Sequence, residues 1–297
     1  MNMNLRHLHY FATVAKIGNI TRAAEQLHIA QPALSMAIKK LEQHLELDLF
    51  QRVDRKIILT SEGKTFLAHC HLILQQVEDA ELAMAELSGL KKGEVRIGVP
   101  GMLGSYFFPD ILMGFKSKYP ELKLTVIEAG TQSIRDMLVN GELDIGVINN
   151  ENVPEQLMVE PLLSPQMVAT VGISHPFATL NSISFDQFFS QKLIMFKKGY
   201  FHREFMDRVS LENHYTPNIS FETNLLPMIL KIVRSGSAIT ALLDIVSKEE
   251  NNLVAVPFSE PITLNIVIAR RKHGYLSIAE QTFLEYIKQA GDSTHCS

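Results

Sequence analysis

Near residue 93 the hydrophobic period of the chain changes, and no single layer architecture accommodates both sides of the change. Before that point apolar residues recur at helical spacing. In "QPALSMAIKKLEQHL", residues 31–45, Leu34, Ile38, Leu41 and Leu45 form one stripe. After it, short apolar runs such as "EVRIGVP", "LKLTVIEA" and "LDIGVI" alternate with amphipathic stretches, the order of an α/β fold with a parallel sheet. The chain is therefore expected to build a helical head over 1–60, a long helix over 61–90 and an α/β body over the remainder.

Within the head, residues 4–16 read as a helix with Leu5, Leu8, Phe11, Ala12 and Ala15 inward, broken at Gly18 and Asn19. "ITRAAEQL" is a short second helix capped by Asn19 or Thr21. "HIA" is a tight turn, and Pro32 falls in the first turn of the third helix, where a missing N–H costs nothing. Two helices joined so closely, the second with a polar N-terminal face, form a helix-turn-helix pattern. "LFQR" and "KIILT" flank the charged turn "VDR", which reads as a β-hairpin wing carrying Arg52, Arg55 and Lys56.

From about Ser61 to Ser88, Phe66, Cys70, Ile73, Val77, Ala80, Met84 and Leu87 alternate by four and three. That heptad seam predicts a helix packed along another helix. A second copy of the chain is the favoured partner, its own core the alternative. The seam makes Cys70 a small core residue rather than a sensor, and "GLKKGE" reads as a linker.

The net charge of −4 is unevenly spread. Residues 1–60 hold eight Lys/Arg against five acids, so a basic head sits on an acidic body. No apolar run is long enough to cross a bilayer. "MNMNLRHLHYFATVAK" lacks the form of a secretory signal. Two cysteines, Cys70 and Cys296, are too few for a disulfide framework and favour a cytoplasmic home. No nucleophile, zinc or dithiol motif occurs, and His69 and His71 diverge on a helix. An enzyme, a metal site or a bound cofactor is therefore not expected.

In the body, "GSYFFPDILMGFKSKY" reads as one helix after the first strand. "QSIRDMLVN", 201–213 and 225–235 are further helices, and "IAEQTFLEYIKQA" is the last. A body of this length is expected to form two lobes with a ligand cleft between them.

The run "FATVAKIGNITRAAEQLHIAQPALSMAIKKLEQHLELDLFQR", followed by "ILTSEGKTF", resembles the LysR-type transcriptional regulator family. The match is long and ungapped. "VRIGV", "FKSKYPELKLTVIEAGTQSIRDMLVNGELDIGVI", "SHPFA" and "VRSGSAIT" extend it, more loosely, over almost the whole chain. The resemblance implies a winged helix-turn-helix, a long linker helix and a two-lobed α/β effector domain like type 2 periplasmic binding proteins. It divides the chain into 1–60, 61–90, a first lobe of 91–161 with 268–297, and a second lobe of 162–267. It also implies a homodimer or homotetramer on promoter DNA, answering to a small-molecule effector and passing its signal to RNA polymerase. A cytoplasmic small-molecule or redox sensor on the same fold is the rival reading.

For the head the resemblance points to Gln31, Pro32, Ala33, Ser35, Met36 and Lys39 as the groove-facing set. Gln31 suits adenine, and Pro32 and Ala33 suit a thymine methyl. Met36 stands where the family usually has a polar or basic residue, which leaves it either an apolar contact with a thymine methyl or a place against the wing. Ala30 replaces the usual Ser cap, a loss of roughly 1 kcal/mol. Arg22, Arg52, Arg55 and Lys56 are phosphate or minor-groove candidates.

For the body it places four loops at the cleft. The first is Pro100, Gly101 and Met102, whose glycine spacing is wrong for a dinucleotide loop but whose backbone amides, at a helix N-terminus, suit a carboxylate. The second is Thr131 and Gln132, with Thr131 the leading polar contact, at a helix start suited to a carboxylate. The third ends in Asn149. The fourth comprises Phe196, Tyr200, Phe201 and His202, then Asn224 and Leu225, then Ala238 and Ile239. Its aromatics suggest a flat or apolar ligand, with His202 and Arg203 balancing an acid. A small carboxylic or aromatic acid is the expected effector.

Overall fold

A computed structural model of the chain describes residues 3–53, 56–87 and 93–294, with side chains throughout except at 52, 53, 56 and 291–294. The turn at Asp54 and Arg55, Ser88, most of the "GLKKGE" linker and Cys296 lie outside the described residues. The chain divides into two compact units, one dominated by residues 1–90 and the other by 91–297.

In the first unit, α1 (Leu5–Ile17) starts where the Asn4 side chain accepts from the His7 N–H at 3.1 Å. It ends at Gly18, whose φ of 66° is the left-handed conformation that suits glycine. α2 (Ile20–Gln26) is capped by Asn19, which accepts from the Arg22 N–H at 3.0 Å. Thr21 lies inside the helix. α3 (Gln31–Leu45) follows the turn at His28, has Pro32 in its first turn and has no side-chain cap at Ala30. β1 (Phe50–Val53) and β2 (Lys56–Leu59) pair antiparallel, with Phe50 opposite Leu59. α4 (Ser61–Leu87) then runs for 27 residues. Leu8, Phe11, Val14, Leu34, Ile38, Leu41 and Leu49 form the core. The Phe11 ring lies 5.1 Å from Phe50 and 5.0 Å from Phe66, so wing, first helix and long helix share one aromatic cluster.

In the second unit the chain runs β3 (Glu94–Val99), α5 (Gly101–Tyr106), α6 (Phe108–Lys118), β4 (Lys123–Glu128), α7 (Thr131–Val139), β5 (Ile145–Asn149) and β6 (Leu157–Leu163). It continues through β7 (Gln166–Gly172), α8 (Phe185–Phe189), β8 (Lys192–Met195), α9 (Phe201–Glu212), β9 (Asn218–Glu222) and α10 (Leu226–Arg234). β10 (Thr240–Leu243), α11 (Asp244–Glu249), β11 (Leu253–Val256), β12 (Ile262–Thr263), β13 (Ile266–Arg271) and α12 (Ile278–Thr294) complete it. The first sheet has the order β4-β3-β5-β13-β6. In the second lobe β7 pairs with β10, β11 and β12, β8 pairs with β9, and a bridge from Leu193 to Ile239 joins the two groups.

Neither large sheet is parallel: the first is mixed and the one built on β7 is antiparallel. β3 runs parallel to β4 and β5, but β13 is antiparallel to both β5 and β6. β7 is antiparallel to all three of its partners. The reason is connectivity. The chain leaves the first sheet after Leu163 and re-enters it at Ile266, so the departing and returning strands lie side by side in opposite directions. The single helix expected over 104–119 is two helices that meet at Phe107, with Pro109 in the first turn of the second. Proline is tolerated there and not in a helix interior.

Candidate DNA-binding head and effector site

α3 separates its faces cleanly. Leu34, Ile38 and Leu41 are buried, whereas Gln31, Pro32, Ala33, Met36, Lys39 and Lys40 are exposed and Ser35 is half-buried. The first acid of the helix, Glu42, is withdrawn from that face. Its carboxylate accepts from the backbone N–H groups of Leu49 at 2.9 Å and Phe50 at 3.1 Å, which ties α3 to the entry of the wing. The exposed stripe therefore offers amide, hydroxyl, apolar and cationic groups with no carboxylate among them, the set that meets base edges and phosphates. Arg22 is exposed at the start of α2. Arg52 and Lys56 lie on the paired wing strands; their side chains, and Arg55 altogether, lie outside the described residues.

α4 divides its heptad seam. Phe66 packs on the head core and Cys70 lies fully inside it. Burial pushes the Cys70 thiol up to about 12. Further along, Ile73 is 40% exposed, Met84 62% and Leu87 80%. A hollow of about 490 Å³ over Leu72, Ile73, Gln76, Val77 and Ala80 lies on the same stretch. The seam belongs to the head at its N-terminal end and is open beyond it.

In the second unit the two lobes meet at Gly130. A Cβ there would lie 2.4 Å from the Gly199 carbonyl oxygen and 3.7 Å from the Tyr200 ring, so only glycine allows this approach. The Tyr200 hydroxyl donates to Glu128 at 2.8 Å. Burial and that carboxylate push its pKa up to about 12. Glu128 also lies against the start of α5, 3.2 Å from where a Gly101 Cβ would be. The protein's own carboxylate thus lies beside the helix start whose amides were expected to hold a ligand carboxylate. Elsewhere, Tyr106 donates to Glu250 at 2.6 Å.

Thr131 opens α7 at 2% exposure, and its hydroxyl has no partner among the described residues. One turn on, Arg135 is buried. Its Nη2 donates to the Asn149 side chain at 2.6 Å, to the Asn149 carbonyl at 3.1 Å and to the Glu151 carbonyl. Its Nε has no partner among the described residues, and burial lowers its pKa. Residues four apart share a helix face, so an unsatisfied hydroxyl and an incompletely satisfied guanidinium lie one turn apart. Gln132 is exposed and donates to Asp136 at 3.0 Å.

The aromatic wall forms around His202. Its ring centroid lies 4.1 Å from Phe196, 5.0 Å from Phe201 and 5.9 Å from Tyr200. Both ring nitrogens are buried without a partner among the described residues. Burial alone presses its pKa down to about 3, so His202 is neutral. Arg203 is already paired with Asp207 and Glu222 and donates to the Phe196 carbonyl. This corrects the expectation that His202 and Arg203 balance an acid, because one is uncharged and the other is neutralised within its own lobe.

The remaining candidates disperse. Pro100 and Met102 are buried at the α5 start, Met102 within the lobe core. Asn224 accepts from the Lys197 N–H at 2.9 Å. Leu225 is 64% exposed at the start of α10. Ala238 and Ile239 are core residues, and Ile239 bonds through its backbone to Lys192 and Ile194. Glu128 and Arg135 are the groups that sequence reasoning missed. A carboxylate at the end of a strand, and an arginine four residues after the helix-start threonine, were the available signals.

No helix is long and apolar enough to cross a membrane among the described residues. The family profile described as "Bacterial regulatory helix-turn-helix protein, lysR family" matches residues 5–64, and "LysR substrate binding domain" matches residues 88–292. The chain is 30% identical to the HTH-type transcriptional regulator AlsR of Bacillus subtilis (strain 168), over 92% of each chain. A solved full-length OxyR variant from Pseudomonas aeruginosa is 25% identical and superposes with a TM-score of 0.74, covering 98% of this chain and 95% of that one. CbnR complexed with its target DNA shares the fold at a TM-score of 0.66 and 19% identity, covering 97% and 100%. A winged head with an acid-free recognition face, a long helix and a two-lobed body matched end to end place this chain in the LysR family of DNA-binding transcriptional regulators.

Proposed function

We propose that this regulator acts in the cytoplasm as a homodimer or homotetramer on promoter DNA and is switched by a small carboxylic or aromatic acid held between its lobes. The observation that carries the effector class is the pair on α7. An unsatisfied buried hydroxyl and a buried guanidinium with an open Nε both gain from an anion, and the helix start adds its own positive end. The neutral ring of His202, walled by Phe196 and Phe201, suits the flat or apolar part of such an acid.

The open stretch of α4, from Ile73 to Leu87, is the proposed dimer seam. A tetramer needs a second surface. Ile219 and Phe221 on the edge strand β9, with Leu225 and Met228 at α10, are each exposed and are the side chains proposed for it. Effector binding works against the cross-lobe contacts of Tyr200 with Glu128 and of Gly130 with Gly199. Shifting the lobes alters the spacing of paired heads, and with it DNA bending and access to RNA polymerase, without release from DNA.

A thermal-shift screen against carboxylic acids, aromatic acids, amino acids and neutral aromatics tests the effector class. A ligand at a hundred times its dissociation constant adds about 2.7 kcal/mol, a shift of several degrees for a body of this size. Acids are expected to give the shift, and Thr131→Val to weaken binding about tenfold or more. A shift from neutral aromatics alone, unaltered in Thr131→Val, refutes the acid reading.

The rival redox reading is disfavoured by Cys70, whose raised pKa removes the reactive thiolate. In the folded chain, iodoacetamide at pH 8 followed by peptide mapping is expected to leave Cys70 unmodified, with labelling appearing only in denaturant. Labelling in the native state would restore the redox alternative.

A further inference from the structure

We propose that Met36 reads the C5 methyl of a thymine in the major groove and makes the half-site of this regulator depend on that methyl. The inference rests on the DNA-binding role of the head. Met36 is 56% exposed on α3, while Leu34, Ile38 and Leu41 of the same helix are 5% exposed or less. It stands one turn beyond Pro32, also exposed, and residues four apart stack along a helix face. The two make a short apolar strip down the middle of the recognition face, between the amide of Gln31 and the ammonium groups of Lys39 and Lys40.

A flexible thioether in that strip donates and accepts nothing of consequence, so it cannot read a base by paired hydrogen bonds or hold a phosphate. The only apolar group on any base edge in the major groove is the thymine methyl. Met36 lies five residues beyond Gln31, roughly 7.5 Å along the helix axis. That is about two base-pair steps of 3.4 Å, so the thymine falls within two base pairs of the position that Gln31 reads.

The test begins by selecting operators from random duplexes with the full-length chain, at fixed salt. Each thymine of the selected half-site is then replaced singly by uracil, which deletes the methyl and keeps every hydrogen bond. Removing the contacted methyl is expected to weaken wild-type binding about fourfold, the equivalent of ~0.8 kcal/mol for one buried carbon. Met36→Ala, a surface change that circular dichroism should find folded, is expected to bind thymine and uracil equally at that one position. It should keep its discrimination at any other. Indifference of the wild type to uracil at every position, or equal sensitivity in Met36→Ala, overturns the assignment. If no duplex is enriched, the DNA-binding role of the head falls, and the assignment with it.

Discussion

Gly63→Ala is expected to unfold the head at temperatures where the wild type stands, and to abolish DNA binding while leaving the α/β body intact. Two effects oppose each other at this position. Gly63 lies in the first turn of α4, and helix propensity alone favours alanine by roughly 1 kcal/mol. Against that, a Cβ would lie 2.0 Å from the Leu49 carbonyl oxygen and 3.0 Å from the Leu59 side chain. The obstruction cannot easily move. The same Leu49 carbonyl accepts from the Thr60 N–H at 3.0 Å, and the Leu49 N–H is held by Glu42. Thr60 is fixed in turn, its hydroxyl donating to the Asp48 carbonyl at 2.7 Å and accepting from the Gly63 N–H at 2.9 Å. Overpacking against backbone costs about 3 kcal/mol or more, so the clash wins. For a unit of this size each kcal/mol shifts Tm by about 4–8 °C, and the head transition should fall by at least about 12 °C. Circular dichroism melts and fluorescence anisotropy on the selected operator measure both. Persistent protease resistance of 93–294 would show that the damage is local. A Tm that stays the same or rises would mean that propensity decides and that the backbone at Leu49 yields to the added methyl.

The parts of this molecule that could be read from its sequence are those where a local pattern suffices. Leu34, Ile38 and Leu41 fix the face of α3 because a helix repeats every 3.6 residues, whatever surrounds it. Gly18 and Asn19 end one helix and start the next by their own backbone and side-chain preferences. β6 escaped because Pro161 interrupts its pattern, and proline is admitted only because this strand lies at the edge of its sheet. The direction of β13 depends on where the chain recrosses between lobes, which no local pattern encodes. The site divides in the same way. Thr131 was legible as a polar residue at a helix start. Arg135 looks like an ordinary surface cation until the carbonyls of Asn149 and Glu151 are brought to it from the end of β5. His202 and Arg203 looked alike as cationic neighbours. Three aromatic rings enclose the first and two carboxylates neutralise the second, and both environments are assembled from separate elements.

The enclosure of His202 predicts an acid-sensitive body. In the unfolded chain this imidazole titrates near 6.5; in the folded chain its pKa is about 3. Between those values the unfolded state carries a proton that the folded state excludes. Stability is therefore fully present above pH 6.5 and is lost as pH falls towards 3, by about 1.4 kcal/mol per pH unit. The loss at pH 5 is roughly 2 kcal/mol, and across the whole window it approaches 5 kcal/mol. Other groups titrate in this range, His175 among them, whose pKa burial also lowers. The comparison that isolates His202 is thus with His202→Phe. Phenylalanine keeps the ring contacts with Phe196 and Phe201 and removes two buried nitrogens that lack partners, so the variant should match or exceed wild-type stability at pH 7. Its advantage should widen by roughly 2 kcal/mol between pH 7 and pH 5, about 4–8 °C in Tm. NMR titration of the folded wild type should show the His202 imidazole still neutral at pH 5. Parallel pH profiles for the two proteins, or a His202 resonance that titrates near 6.5 in the folded state, would mean that the ring is open to water. The aromatic wall would then be a surface, not an enclosure built to hold the apolar part of an effector.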